Sequence, residues 1–416
     1  MTVPSRSLDD LAARAAAMLA ELARISDAPD NLTRLYLSPA HRRAADLVRS
    51  WMEEAGARAS IDAAGNVVGR FGPDGAPTLY CGSHIDTVVD AGGYDGTLGV
   101  VAALLAAGDI ARSGADLPFA VEVLAFGDEE NVRFPTSLSS THAIAGGYDP
   151  AWLMRRDADG TSLAEALRAF GGDPDAIAGL ARDPAGAIGY LEIHIEQGPV
   201  LERSGLPVGV VTAINAAYRA DCVVRGEAGH AGTVPMSLRR DALAGAAEMV
   251  CAIERLGAGA VDGVATVGRI SAMPGAVNVV PGEVRFSIDA RTPSDAALAD
   301  LVAEIDAACA AIASRRGLVF ACTPFMQAPA TAMDDRLQQA LVDAAQRVGI
   351  DAPRIPSGAG HDAVAMAGLC PVGMLFVRCA GGISHNPAES VAEPDLGIAV
   401  AVMIEAIRAV AETRGG

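Results

Sequence analysis

Five short segments of this chain each carry a histidine or carboxylate just after an apolar run of strand-like length: Gly82-Ser83-His84-Ile85-Asp86, Gly93-Tyr94-Asp95-Gly96, Gly127-Asp128-Glu129-Glu130, His194-Ile195-Glu196-Gln197-Gly198 and Ile383-Ser384-His385-Asn386-Pro387. A side chain at the end of a buried strand is rigidly aimed. In open α/β sheets, groups beyond the carboxyl ends of the strands converge on one edge. The pattern therefore constrains the fold to one that gathers distant strand ends at a common place.

The rest of the chain agrees with an α/β sheet. Between Ala57 and Leu124, strand-like runs at Thr78 to Cys81 and Ala120 to Phe126 flank an Ala/Leu-rich helix from Thr97 to about Arg112, a β-α-β unit. Residues 137–189 read as a helical excursion, with Ser162-Leu163-Ala164-Glu165 as a capping box opening Leu163 to Phe170. From Leu206 the order changes to strand (Asp221 to Arg225), helix (Arg239 to Arg255), strands (Val264 to Ile270, Val284 to Ala290), helix (Ser294 to Arg315) and strand (Leu318 to Ala321). That β-α-β-β-α-β order predicts a ferredoxin-like α+β insertion. A helix near Asp335 to Val348, the strand Val372 to Val377 and a closing helix Pro394 to Thr413 then rejoin the first domain. The expected division is 1–206 with 326–416 for the α/β domain and 207–325 for the insertion, and the 416-residue length supports two cores.

A net charge of −19 argues against nucleic acid or an anionic membrane as partner and points to a small soluble substrate. The seven cysteines are scattered and include no Cys-x-x-Cys pair, as expected of free thiols in a reducing cytosol. The stretch Leu8 to Ile25 carries Asp9, Asp10 and Glu21, so it reads as a first helix and not a signal peptide. No charge-free apolar window is long enough for a spanning helix, and a cytoplasmic location is expected.

Two divalent ions sharing a carboxylate need four or five mixed His and Asp/Glu ligands, a set that His84, Asp95, Glu130, His194 and His385 supply. One such histidine alone is ordinarily a polar residue closing a strand; five together make the dinuclear reading. Asp86, two residues from His84, is placed to hold the ring nitrogen that His84 does not give to metal. Glu129 and Glu130 are adjacent, so in extended backbone they point apart, one free to bind metal and the other to handle protons. His41 reads as part of an exposed helix start, and His142 has no ligand-rich neighbourhood. The turn Ser357-Gly358-Ala359-Gly360 before His361-Asp362 suits either anion binding by backbone N–H groups or a purely structural role. There is no Gly-x-Ser-x-Gly elbow for a serine nucleophile.

These segments, together with Gly226-Glu227-Ala228-Gly229-His230-Ala231-Gly232-Thr233-Val234-Pro235-Met236, Asn278-Val279-Val280-Pro281-Gly282, Asp289-Ala290-Arg291 and Ser357 to Asp362, resemble the metal-dependent amidohydrolases of the hydantoinase/carbamoylase family over nearly the whole chain. That family includes allantoate amidohydrolase, N-carbamoyl-L-amino-acid hydrolase and β-ureidopropionase. The resemblance implies an aminopeptidase-like catalytic domain with a mixed sheet and an inserted dimerisation domain. It implies that His84, Asp95 and His194 hold one metal and Asp95, Glu130 and His385 the other, two divalent ions per subunit, manganese or zinc, with cobalt or nickel as alternatives. It further implies that Glu129 is the general base and that His230 reaches the partner subunit's site in a homodimer to stabilise the oxyanion. Arg291 would clamp a substrate carboxylate, and Gln197, Asn278 and Gly360 would make further substrate contacts. The wording of Phe126 to Glu130 and Arg378 to His385 is closest to allantoate amidohydrolases, so allantoate is the expected substrate, with the activity of an N-carbamoyl-L-amino-acid hydrolase or a β-ureidopropionase as the alternative. A binding or regulatory protein that kept the fold without turnover is the reading from another class. Loss of Glu129 would have favoured it, and Glu129 is present.

Overall fold

In the computed structural model, which describes residues 6–415, the chain divides into two compact units. The first comprises the described residues up to Thr212, Met333–Ile355 and the chain from Gly360 onward; the second comprises Ala213–Ala332 and Pro356–Ala359. The division falls a few residues beyond the expected 207 and 325.

The first unit opens with α1 (Leu8–Leu22) and α2 (Pro39–Glu54), then β1 (Arg58–Ile61), β2 (Val67–Phe71), β3 (Thr78–His84), α3 (Thr97–Ser113) and β4 (Ala120–Phe126). It continues through α4 (Ser139–Ala145), α5 (Leu163–Phe170), β5 (Ala187–Ile195), α6 (Val200–Ser204) and β6 (Val208–Ile214). The second unit supplies β7 (Ala216–Arg225), β8 (Gly229–His230), α7 (Ala242–Gly259), β9 (Val264–Thr266), β10 (Ile270–Met273), β11 (Val279–Val280), β12 (Glu283–Thr292), α8 (Asp295–Arg316), β13 (Val319–Ala328) and β14 (Thr331–Ala332). The chain returns with α9 (Asp335–Arg347), β15 (Arg354–Ser357), α10 (Ala363–Met366), β16 (Val372–Val377) and α11 (Glu393–Gly415).

The large sheet runs β1-β2-β4-β3-β5-β16-β6. Its centre, β4-β3-β5-β16, is parallel, and β1, β2 and β6 join antiparallel. Every residue of β3, β4 and β16 is buried, as strands covered on both faces require. This burial explains why β3 reads as a continuous apolar run, and why it extends past the expected Cys81 to carry His84 as its last residue. Helix α3 is buried without a gap from Thr97 to Ile110 and packs on β3 and β5 below α1 and α11. Gly99 permits that approach, since a Cβ there would lie 2.1 Å from the Ile193 carbonyl oxygen. The capping box at Ser162 forms as expected, with the Glu165 carboxylate accepting from the Ser162 N–H.

The second unit is an antiparallel sheet ordered β10-β12-β7-β13, with β9 also paired to β12. Burial alternates along β7 and β12, the period of a sheet with one covered face. That face packs Cys222, Val224, Phe286 and Ile288 against Met249 and Ile253 of α7 and Leu301, Ile305 and Cys309 of α8. The strand expected from Val264 to Ile270 is two short strands, because the segment leaves the ladder around Gly268 and rejoins β12 further along.

Candidate metal centre

The parallel strands deliver their carboxyl ends to one edge. His84 closes β3, His194 lies one residue from the end of β5, Glu129 and Glu130 follow β4, and the loop after β16 carries His385. Asp95 stands in the connection between β3 and α3. The ligand atoms form three overlapping groups, His84-Asp95-His194, His84-Glu129-Glu130 and Asp95-Glu130-His385, with the atoms of each within 4.8 Å of one another. Asp95 lies at the centre. Its Oδ1 is 3.0 Å from His194 Nε2 and 3.8 Å from His84 Nε2, while its Oδ2 is 3.1 Å from His385 Nε2. Glu130 Oε2 lies 3.4 Å from His385 Nε2.

The tautomers decide whether this set fits metal. His84 Nδ1 is 3.0 Å from the Asp86 carbonyl oxygen and His194 Nδ1 is 3.0 Å from the Ile195 carbonyl oxygen. Each Nδ1 therefore carries the hydrogen, leaving Nε2 with a lone pair aimed at the carboxylates. Both Nε2 atoms and Glu130 Oε1 are buried without a hydrogen-bond partner. Lone pairs and carboxylates facing one another in a buried space repel unless cations lie between them, so the donor set fits two divalent ions. The same crowding shifts the titrations. Burial pushes the Glu130 carboxyl up to about 7, with Asp95 adding to the rise. The hydrogen bond to Asp95 leads the causes that raise the His385 imidazole to about 9. For Asp95, burial acts upward, but His194 and His385 outweigh it and hold the carboxyl well below the usual range.

Glu129 and Glu130 do not sit in extended backbone. Asp128 and Asn131 on either side have φ of 62° and 55°, and the resulting turn brings both carboxylates to the cluster. Glu129 Oε2 is 4.0 Å from His84 Nε2. Burial raises the Glu129 carboxyl well above its ordinary range, against the opposing pull of His84. Asp86 departs from expectation in detail. Its backbone carbonyl takes the His84 hydrogen bond, and its carboxylate, 3.5 Å from that nitrogen, accepts from the N–H groups of Glu129 and Glu130 at 3.3 Å each. Gly96 has φ of 65°, and a Cβ there would stand 2.4 Å from the His84 ring.

Several residues of this site escaped sequence reasoning. Ser384 Oγ donates to Asp95 Oδ2 at 3.0 Å, and Gln197, expected on substrate, donates its Nε2 to the same oxygen at 3.0 Å. Glu389 accepts the N–H groups of Tyr94 and Asp95 at 2.8 and 3.1 Å. Asp128 accepts from Thr136 Oγ1 at 2.6 Å and from Ser139, fixing the start of the glutamate turn. Asp128, Gln197 and Ser384 stood inside the motif segments, but their contacts, like the approach of Glu389, come from segments whose proximity no spacing reveals. His361 packs edge-on against the His194 ring at 4.4 Å, and Asp362 accepts from Thr141. His41 is fully buried, not exposed: it lies on the inward face of α2, stacked on Phe170. His142 packs beside Trp152, outside the cluster.

His230, Asn278 and Arg291 belong to the second unit. The short β8–β11 ladder pairs His230 with Val279, which sets His230 beside Asn278. Arg291 gives Nε and Nη2 to the two oxygens of Asp289 at 2.8 and 2.9 Å, and Arg219 Nε donates to Asp289 Oδ2 at 2.8 Å. Arg219, Asp289 and Arg291 line a cavity of about 530 Å³ with Arg269, Thr266 and Ser287. Gly360 is exposed, and nothing lies within 4 Å of where its Cβ would be.

Residues 80–409 match the model of the peptidase family M20/M25/M40. The chain is 41% identical to an allantoate deiminase of Arabidopsis thaliana, over 94% of this chain and 81% of that one. It is 38% identical to an N-carbamoyl-L-amino acid amidohydrolase of Geobacillus stearothermophilus, over 94% and 96%. Its fold superposes with a TM-score of 0.88 on an amidase of the hydantoinase/carbamoylase family from Burkholderia multivorans, at 34% identity and covering 96% and 98% of the two chains.

Proposed function

The chain belongs to the peptidase family M20/M25/M40, and from that premise we propose that it hydrolyses the carbamoyl C–N bond of a small ureido carboxylate, with allantoate as the substrate. Relatives named as amidohydrolases make it a hydrolase of a family whose members depend on two metal ions. The observation that carries the reading is the convergence of four ligand side chains, His84, Glu130, His194 and His385, around Asp95 with Glu129 beside them.

His84, Asp95 and His194 would hold one divalent ion and Asp95, Glu130 and His385 the other, manganese or zinc by the family resemblance, although His and carboxylate ligands also accept cobalt or nickel. Such ions polarise the ureido carbonyl and acidify the attacking water. Glu129 accepts that water's proton and returns it to the departing nitrogen; its buried, upward-shifted carboxyl is suited to hold a proton between the two steps. Asp86 fixes the peptide groups that aim Glu129, and Gln197 and Ser384 hold Asp95, leaving the Gln197 amide oxygen for a ureido N–H. His385 is half exposed, which opens the cluster to a small molecule from its side. Arg291 clamps the substrate carboxylate, with Asn278 and Gly360 as further contacts. The strand order and all-antiparallel pairing of the second unit support a ferredoxin-like dimerisation domain, from which His230 would serve the partner subunit's site and stabilise the oxyanion. A cytoplasmic homodimer follows from this reading; among the described residues no helix is long and apolar enough to cross a membrane.

The N-carbamoyl-L-amino acid relative, matched over nearly its full length, supports a second reading in which the same machinery cleaves a carbamoyl amino acid. The deciding experiment reconstitutes the protein with manganese or zinc and follows substrate loss and ammonia on allantoate, N-carbamoyl-L-amino acids and N-carbamoyl-β-alanine. Preferential allantoate turnover with ammonia release supports the first reading. Preference for carbamoyl amino acids replaces the substrate and keeps the chemistry, and no turnover on any of them with metal bound rejects both.

A further inference from the structure

Apart from the metal centre, the second unit holds a pair of thiols in direct contact. Cys222 on β7 and Cys322 on β13 are directly opposed in the antiparallel register, and their sulfur atoms are 2.8 Å apart. Directly opposed residues of an antiparallel pair have Cα atoms about 4.5–5.5 Å apart. A disulfide spans about 4.4–6.8 Å between Cα atoms, so the register puts the pair within bridging distance. Cys222 is buried in the core of the unit, while Cys322 packs against that core and is only partly covered. The Tyr218 hydroxyl lies 3.7 Å from the Cys322 sulfur, and hydrogen bonds from Cys222 and Tyr218 favour the Cys322 thiolate. The pair lies at the sheet's edge, because β13 has only β7 as a neighbour in that ladder.

We propose that Cys222 and Cys322 form a dithiol–disulfide couple, a redox modification site that on oxidation by a low-molecular-weight disulfide staples the edge strand β13 to β7. The Cys322 thiolate attacks one sulfur of the reagent, expelling the first reagent thiol and leaving a mixed disulfide. Cys222 then gives up its proton and attacks the Cys322 sulfur, expelling the second thiol. Two protein thiols become one disulfide, and the reagent disulfide becomes two thiols. The staple fixes the strand on which Arg219 braces Asp289, the carboxylate that holds Arg291.

The test treats the metal-reconstituted full chain with oxidised glutathione, traps free thiols with iodoacetamide and maps the peptides. The expected result is a linked Cys222–Cys322 peptide, a fall of two from the seven free thiols, reversal by dithiothreitol and a thermal unfolding midpoint raised by several degrees. Cys322→Ser should lose both the link and the shift, while Cys251→Ser, at an exposed thiol on α7, should keep both. Full alkylation of Cys222 and Cys322 after oxidation, a Cys322–glutathione adduct as the end product, or loss of the effect in Cys251→Ser overturns the proposal. The wild-type peptide map decides the matter even if Cys322→Ser does not fold.

Discussion

Gly96 caps α3 directly over the His84 ring, and replacing it by alanine perturbs the centre without altering a ligand. The added Cβ would stand 2.4 Å from the imidazole, whereas ordinary contact begins at 3.4 Å, so the ring must retreat by about 1 Å. At φ 65° and ψ −52°, with the Thr97 N–H bonded to the Asp95 carbonyl at 2.7 Å, Gly96 centres a γ-turn, a conformation that costs any residue with a Cβ about 1–3 kcal/mol. A displacement of that size costs up to about 100-fold in turnover when it moves a catalytic group, and disturbed orientation of a ligand histidine typically costs roughly 10–100-fold in metal affinity. Gly96→Ala is therefore expected to fold with reduced stability and to bind manganese or zinc roughly 10–100-fold more weakly, measured by chelator competition on the apoprotein. Gly114→Ala is the control for losing a positive-φ glycine. It lies at the other end of α3 in the left-handed helical region, φ of 69° and ψ of 20°, with nothing within 4 Å of its Cβ, so it carries a milder backbone strain and no clash. If Gly96→Ala and Gly114→Ala bind metal equally well, the Cβ–imidazole argument fails and His84 is not held as described.

Three further expectations follow from other parts of the molecule. Glu129→Gln should retain both metal ions while turnover falls by roughly 10²–10⁴-fold; wild-type-like turnover would remove Glu129 from proton transfer. Arg291→Lys keeps the charge but loses the planar fork, so KM for a carboxylate substrate should rise roughly 10–100-fold with a smaller change in kcat, and an unchanged KM would reject the clamp. Burial depresses the His41 imidazole from 6.5 to about 4. The unfolded chain thus binds this proton first as pH falls: the stabilisation from neutral His41 is complete above about pH 6.5 and lost toward pH 4, about 3 kcal/mol in all. Urea titrations between those values should show a steeper pH dependence in the wild type than in His41→Asn, and parallel curves would refute the burial account.

The segments of His84, Glu130 and His194 were readable because a buried parallel strand imposes an unbroken apolar run and the metal chemistry demands His and carboxylates at its end, whereas Asp95 and His385 stand in the loops that follow β3 and β16. Glu129 and Asp86 were readable by adjacency, but their geometry was not. Two positive φ angles turn both glutamates to one side, and the Asp86 carboxylate goes to backbone N–H groups while its carbonyl takes His84. The inward position of His41 was hidden because a helix start rich in charge reads as exposed whichever face its histidine occupies. Ser384, Glu389 and the Gln197 contact with Asp95 depend on segments that meet only when β3, β5 and the loop after β16 are assembled. Residue types and the periodicity of burial are local properties, so the sequence by itself determined the chemistry available and the strands that carry it. Tautomers, bridging distances and the opposition of Cys222 to Cys322 depend on which strands become neighbours and in what register, and only the tertiary structure decided them.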